Sequence, residues 1–218
     1  MVEGACSQAW PVVILGAGGH GRTLASTLLD LNRSVLGYLD ANPECWGTQL
    51  FGIPVLGDDA KLETYSPTQI RVVNGVGSVD TPQRRRAVYE QQLARGFTFE
   101  TIVHPSAHVS PRASLGAGAQ VLAGAIVQAG AKVGANVIVN TGAIVEHDCT
   151  LGAHCHVAPG AVISGGTQLG ASCHIGAGAV LLQGIALGEL STVGAGAVVT
   201  RSHGPQSRLV GVPARAMG

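Results

Sequence analysis

Aliphatic residues recur at every sixth position over the second half of the chain. The series starts at Val103 and runs without an insertion to Val199, and each of its seventeen positions holds Val, Leu or Ile. Four residues after most of these positions stands a small residue, usually alanine. A period of six fits neither the 3.6-residue period of an α-helix nor the alternation of a single strand. The pattern instead predicts short strands and turns that stack coil on coil.

The repeat also accounts for most of the cysteines. Cys149, Cys155 and Cys173 fall on the small-residue positions that elsewhere hold alanine, so we expect them to pack as small apolar core residues. Val137 and Ile185 are the bulky exceptions at these positions. The five cysteines are odd in number and contain no CxxC pair, which predicts a reducing cytoplasm rather than a disulfide framework.

A different pattern precedes the repeat. The run PVVILGAGGHGRTLASTLLDL predicts a strand, a glycine turn and a helix, and VLGYLD and IRVVNGVG predict two further strands. Gly16, Gly18 and Gly21 fit a GxGxxG turn, and Asp40 follows nineteen residues after Gly21. Such glycines let the backbone approach phosphate at a helix N-terminus. We therefore predict a small Rossmann-like open parallel sheet, which suits one nucleotide better than two.

Charge and composition exclude several kinds of partner. The formal charge is +0, with 13 basic and 13 acidic residues, so nothing favours binding to nucleic acid or to an anionic membrane. The basic cluster Arg84–Arg86 lies in a predicted helix and is expected to be solvated. No uninterrupted apolar run reaches the roughly 18 residues of a membrane span, and the N-terminus lacks a charged-then-apolar signal pattern. We expect a cytoplasmic protein.

The stretch AIVEHDCTLGAHCHV holds three of the eight histidines. Glu146 and Asp148 flank His147, which is third in its hexad and does not fall on a core position. Three hexads make one coil of eighteen residues, so residues eighteen apart stack. This register places His156 against His174 and His147 against Gly165.

The order of these segments resembles a known family. A short nucleotide-type domain with GAGGHG, an uninterrupted hexapeptide repeat with EHD, and GVPAR near the C-terminus are similar to bacterial sugar acetyltransferases. These enzymes modify sialic acid or the 4-amino group of nucleotide-linked dideoxy sugars. The resemblance spans nearly the whole chain and implies an all-β left-handed parallel β-helix after the α/β domain. It implies a nucleotide-sugar domain over residues 1–100, an acyltransferase domain over 101–200 and a tail near acetyl-CoA over 201–218.

The resemblance also implies a catalytic histidine, because the EH[ED] motif of that family carries it. A histidine with a pKa near 6.5 is suited to accept the proton of an attacking amine near neutral pH. Asp148 or Glu146 would orient the imidazole of His147, and we favour Asp148 because it is adjacent and nearer the corner of the coil. Gly165 is the candidate backbone donor to the thioester oxyanion.

Binding residues are expected in both predicted domains. The glycine turn is a candidate for the sugar and phosphates, and Asp40 for the base or ribose. The candidates are Gly18, Gly19, His20, Asp40 and His156 for the nucleotide sugar, and Gly165, His156, Ala195 and Arg215 for acetyl-CoA.

The resulting hypothesis is an acetyl-CoA-dependent N-acetyltransferase without a metal. Its expected substrate is a nucleotide-linked 4-amino-4,6-dideoxy sugar, with GDP-perosamine favoured. The flat faces of the predicted prism and the family resemblance imply a homotrimer with active sites between subunits. Four alternatives are a sialic-acid-type O-acetyltransferase, an NAD-dependent enzyme, a non-catalytic scaffold and a γ-class carbonic anhydrase. The last would bind zinc through His147, His156 and His174. The N-terminal domain and the EHD motif favour acetyl transfer over the carbonic anhydrase.

Overall fold

The computed structural model describes residues 10–78 and 82–217. The predicted absence of a signal pattern falls in part on residues 1–9, and these, like Cys6, lie outside the described residues. Among the described residues, no helix combines the length and apolarity needed to cross a bilayer.

An open sheet forms the N-terminal domain. Its elements are β1 (Val12–Leu15), α1 (Gly19–Asp30), β2 (Val35–Leu39), β3 (Gln49–Leu50), β4 (Ile53–Gly57), β5 (Arg71–Asn74) and α2 (Pro82–Ala94), with 3₁₀ helices at Pro43–Cys45 and Asp59–Thr64. The strand order is β3-β4-β2-β1-β5, and all neighbours are parallel except β3 and β4. The predicted α/β domain with a parallel sheet is confirmed.

The hairpin β3–β4 was not predicted. Its two-residue turn holds Phe51 at φ 54° and Gly52 at φ 76°, so both residues are left-handed. Asn-Gly or Asp-Gly is the usual signature of such a turn, and a phenylalanine there gives no signal. Pro54 lies inside β4 and weakens the strand pattern further.

The two helices cover opposite faces of the sheet. Leu24 and Leu28 of α1 belong to one apolar cluster with Val12 and Ile14. Tyr89 of α2 belongs to another, with residues that point to the opposite face of the strands. The glycine turn brings α1 close to β1, because a side chain at Gly21 would overlap the carbonyl of Gly16.

The expectation of a solvated arginine cluster is wrong for Arg85, which is 1% exposed. Its guanidinium donates to the carbonyls of Asn74 and Val76, each at 2.8 Å, and lies 3.4 Å from that of Asn136. Burial lowers the pKa of Arg85 to about 9. The side chain thus joins the sheet, the loop after β5 and the repeat domain, while Arg84 and Arg86 are exposed.

The hexapeptide repeat forms a parallel β-helix. Residues eighteen apart pair, as in Ile138 with His156 and His156 with His174. Its seventeen two-residue strands run from β6 to β22: Ile102–Val103, His108–Val109, Ser114–Leu115, Gln120–Val121, Ile126–Val127, Lys132–Val133, Ile138–Val139, Ile144–Val145, Thr150–Leu151, His156–Val157, Val162–Ile163, Gln168–Leu169, His174–Ile175, Val180–Leu181, Ala186–Leu187, Thr192–Val193 and Val198–Val199. The tail adds β23 (Arg208–Val210) and β24 (Arg215–Ala216).

The inside of the prism confirms the packing role of the three repeat cysteines. Cys149, Cys155 and Cys173 are at most 1% exposed and lie in the core cluster. Each thiol also donates to a carbonyl of the next coil at 3.1–3.2 Å. A small, weakly polar side chain fits beside the backbone there as alanine does elsewhere.

The three outer faces of the prism differ in chemistry. One carries the N-terminal domain, since Ile102, Leu122 and Ile138 pack into the cluster under α1. A second is polar and exposed at Lys132, Thr150 and other strand positions. The third, which we call the aliphatic face, presents five half-exposed aliphatic side chains: Ile126, Ile144, Val162, Val180 and Val198.

Candidate functional site

The EHD motif lies at the corner that follows the aliphatic face. His147 Nδ1 is 2.9 Å from a carboxylate oxygen of Asp148, and the His147 side chain is 57% exposed. Because a carboxylate only accepts, Nδ1 donates and Nε2 keeps its lone pair in the neutral imidazole. Asp148 reaches the ring from a left-handed turn position with φ 59°. The geometry therefore pairs His147 with Asp148 and leaves Nε2 without a hydrogen-bond partner in the part of the chain that the structure describes.

Gly165 stacks against the His147 ring as the register predicts. A Cβ at Gly165 would lie 2.5 Å from His147 Nε2 and 2.7 Å from Cε1. The missing side chain thus makes room for the imidazole itself. The Gly165 N–H has no hydrogen-bond acceptor among residues 10–78 and 82–217. It is a backbone donor beside a free imidazole nitrogen.

A second set of polar groups lies at the corner that precedes the aliphatic face. His156 and His174 have ring centroids 5.0 Å apart and line an open groove of about 480 Å³ together with Asn140 and Ala195. His156 Nδ1 lies 3.2 Å from the Ser78 carbonyl, which can only accept. Nε2 of His156 is 3.1 Å from the Asn140 amide and accepts from it.

The environment of His156 keeps its ring neutral. Burial lowers the pKa of His156 to about 4, and the neighbouring His174 adds to the effect. Burial also lowers the pKa of His174. At neutral pH both rings therefore act as hydrogen-bonding groups rather than as cations.

Asn140 is a candidate site residue that the sequence interpretation missed. It shares its hexad position with many polar residues of the repeat, so no sequence signal marks it. Only the fold shows that its amide holds the ring of His156, sixteen residues further along the chain.

His147 does not lie in this groove. Chain order places the corner with Asn140 before the aliphatic face and the corner with His147 after it. The groove, which includes the predicted residues His156 and Ala195, and the base candidate thus lie on opposite edges of one face. Within the described ranges, no three His, Cys, Asp or Glu side chains come together as a metal site.

The tail borders the groove. Val210 of β23 packs against Gly194, which lines the groove next to Ala195. Strand β24 pairs with β23 and carries the exposed residue Arg215. The guanidinium of Arg215 donates to its neighbouring carbonyl, that of Ala214, at 3.1 Å.

The glycine turn forms a second pocket at the carboxyl edge of the sheet. Gly18, Gly19, His20 and Asp40 line it, and the structure adds the loop after β5 and Arg84. Its volume is about 340 Å³. The four predicted nucleotide-sugar residues of this domain therefore come together, while His156 lies in the other groove.

Two of these residues also make structural contacts. Asp40 accepts from the backbone N–H of Ala17 at 2.7 Å and from that of Asn42 at 2.9 Å. The His20 Nε2 lies 2.8 Å from the amide oxygen of Gln120 in the repeat domain. Burial lowers the pKa of His20 to about 3, so its ring is neutral. His20 thus links the glycine turn to the β-helix.

Comparison with known proteins agrees with both halves of this description. The PglD N-terminal domain model matches residues 11–92, and the bacterial transferase hexapeptide (six repeats) model matches residues 130–165 and 166–201. A sequence search of the curated proteins finds no match.

Solved structures match over nearly the whole chain. The acetyltransferase domain of PglB from Neisseria gonorrhoeae is 37% identical with a TM-score of 0.88, over 95% of this chain and 99% of that one. Perosamine N-acetyltransferase from Caulobacter crescentus, a mutant form crystallised with CoA and GDP-perosamine, is 35% identical with a TM-score of 0.89, over 95% and 97%. WeeI from Acinetobacter baumannii is 23% identical with a TM-score of 0.85, over 94% of this chain and 99% of that one. At this identity the likeness shows the fold alone. The chain belongs to the hexapeptide-repeat sugar acetyltransferases that begin with a PglD-type N-terminal domain.

Proposed function

We propose that the protein transfers the acetyl group of acetyl-CoA to the 4-amino group of a nucleotide-linked 4-amino-4,6-dideoxy sugar. GDP-perosamine is the first candidate, because a relative of 35% identity was crystallised with CoA and that sugar. The observation that carries the proposal is the His147–Asp148 pair, whose Nε2 lies beside the Gly165 N–H, both without a hydrogen-bond partner among the described residues.

The geometry suits direct attack on the thioester. The neutral sugar amine adds to the thioester carbon while Nε2 of His147 takes the amine proton, and Asp148 stabilises the imidazolium that forms. The negative charge that develops on the thioester oxygen accepts a hydrogen bond from the Gly165 N–H. Loss of the thiolate, which recovers the proton from His147, gives the amide and CoA.

Assembly completes the site in this proposal. In the proposed homotrimer the aliphatic faces of the three copies meet at the threefold axis. The corner that follows this face in one copy, which carries His147, then lies against the corner that precedes the face in the next copy, which carries Asn140. His147 of one copy then faces Asn140 and His156 of its neighbour, and the groove with Ala195 and the tail holds acetyl-CoA. The half-exposed side chains of the aliphatic face support this arrangement, because monomers rarely expose a contiguous apolar stripe.

Mixed oligomers test the shared site. His147→Asn and Asn140→Ala chains carrying different tags are mixed under denaturing conditions, refolded together and purified by both tags. We expect each parent to be nearly inactive and the mixed oligomer to regain a substantial fraction of wild-type turnover, since some interfaces combine two intact halves. Mixed oligomers as inactive as both parents, or a monomer in sedimentation at micromolar concentration, would contradict a site built between copies.

The substrate is tested by release of CoA from acetyl-CoA in the presence of UDP-, GDP- and CMP-linked amino sugars. Turnover with an amino sugar but not with its hydroxyl counterpart supports N-acetylation. Turnover with hydroxyl acceptors alone would favour the O-acetyltransferase instead.

A further inference from the structure

A narrow slot opens from the glycine-turn pocket on the side of α2. Its walls are the apolar side chains of the sheet, of the loop after β5 and of α2: Leu15, Leu39, Val76 and Val88. Three charged residues also line it: Asp40, Asp59 and Arg84. The slot and the glycine-turn pocket share residues, including Gly16 and Asp40. The slot alone holds only about 40 Å³. It therefore admits the edge of a flat ring whose remaining atoms lie in the larger pocket.

The charged groups of the slot differ in what they already bind. Asp40 accepts two backbone N–H groups, and the neighbouring Asp58 accepts that of Ala60 at 3.0 Å. The Asp59 carboxylate has no hydrogen-bond or ion-pair partner among residues 10–78 and 82–217. Arg84 makes no ion pair within the same ranges. A half-buried carboxylate without a partner is a strong acceptor that a ligand with donors can satisfy.

Burial raises the pKa of the Asp59 carboxyl, and the negative charge of Asp58 adds to the effect. Arg95 and Arg84 act in the opposite direction. The desolvated position strengthens any hydrogen bond that the ionised carboxylate accepts.

We propose that Asp59 selects a guanine base by accepting hydrogen bonds from its N1–H and its 2-amino group, with Arg84 placed to donate to O6 or N7. The proposal rests on the proposed function only in assuming that a nucleotide occupies the glycine-turn pocket. Uracil presents one N–H between two carbonyl oxygens, and cytosine presents one amino group beside a bare ring nitrogen. With either base, one oxygen of the Asp59 carboxylate would have no donor and would instead face an acceptor atom of the base. The slot therefore favours GDP over UDP and CMP.

Calorimetric titration of the wild-type protein with GDP, UDP and CMP tests this preference without acetyl transfer. We expect GDP to bind at least ten-fold more tightly than the other two, because hydrogen bonds to charged groups are worth roughly ten- to hundred-fold each. Asp59→Asn should weaken the binding of GDP by about the same factor. It should also gain affinity for xanthosine diphosphate, since the asparagine amide donates to the O2 of xanthine and its oxygen accepts from N1–H.

Glu63→Gln is the matched control, because Glu63 lies on the same 3₁₀ helix, is exposed, and contributes the same charge. It should bind GDP as the wild type does. Rescue of Asp59→Asn by xanthosine diphosphate separates loss of recognition from loss of folding.

Two results would overturn the guanine assignment: UDP or CMP binding as tightly as GDP, or Asp59→Asn binding GDP normally. Acetylation of a UDP-linked amino sugar in preference to its GDP counterpart would overturn this inference and leave acetyl transfer intact. GDP binding that depends on Asp59, without turnover of any amino sugar, would support the inference and refute the proposed function.

Discussion

Alanine at position 165 is expected to displace the imidazole of His147 while leaving the β-helix intact. Its Cβ would lie 2.5 Å from Nε2, 2.7 Å from Cε1 and 3.1 Å from Cδ2 of His147. To reach ordinary van der Waals separation the ring has to move by about 1 Å, which pulls Nδ1 away from Asp148. A misplacement of about 1 Å can reduce turnover about 10²-fold. Because the exposed ring gives way and the backbone of Gly165 is not left-handed, the free energy of unfolding should change by less than about 1 kcal/mol.

The assay follows thiol release from acetyl-CoA with the preferred sugar, alongside urea unfolding of the same variant. Gly204→Ala is the control, because a Cβ at Gly204 meets nothing within 4 Å and its φ is not left-handed. It should keep wild-type kcat. A wild-type kcat for Gly165→Ala would show that the position of the His147 ring does not limit the reaction. A loss of stability large enough to unfold the variant would show that the clash is not relieved by the ring.

Two further predictions concern the glycine turn and the neutral ring of His156. Gly18→Val should raise KM for the nucleotide sugar and leave KM for acetyl-CoA unchanged. The reason is that a Cβ at Gly18 has no protein atom within 4 Å and obstructs only the ligand. Equal changes in both KM values would contradict this prediction. The pKa of His156 is about 4 in the folded protein and 6.5 in the unfolded chain. As the pH falls from 6.5 to 4, the unfolded chain therefore binds a proton at this residue and the folded protein does not. Stability is therefore highest above pH 6.5 and falls by roughly 3 kcal/mol toward pH 4 from this residue. Urea unfolding of wild type and His156→Gln at pH 7 and 4.5 measures it, and an equal pH dependence of both proteins would refute the assignment.

The repeat domain could be predicted from the sequence because its fold is periodic. One aliphatic position in six fixes the inward side chain of every strand, and the same register assigns Cys149 and Cys173 to the core and Gly165 to the neighbourhood of His147. Each coil contacts only its neighbours, so a local pattern determines the packing.

The N-terminal domain was predicted less completely, because its contacts join distant parts of the chain. The burial of Arg85 depends on the carbonyls of Asn74 at the end of β5, of Val76 in the loop that follows, and of Asn136, about fifty residues away. Every residue type has a backbone carbonyl, so nothing in the sequence marks these acceptors. Asn140 and Asp59 were missed for a related reason, since their roles depend on which groups the fold leaves without partners.

The central claim is that His147 is the general base of an acetyl transfer. The most direct measurement is the pH–rate profile of CoA release for wild type and His147→Asn, with Cys149→Ala as a control that alters only a packed core residue. At pH 7, His147→Asn should lower kcat by roughly 10²–10⁴-fold with both KM values within a few-fold, and the deficit should shrink at high pH, where solvent hydroxide can take the proton of the attacking amine in place of the imidazole. Cys149→Ala should stay within a few-fold of wild type. A near-normal rate for His147→Asn at pH 7, or a deficit that does not change with pH, would contradict the account.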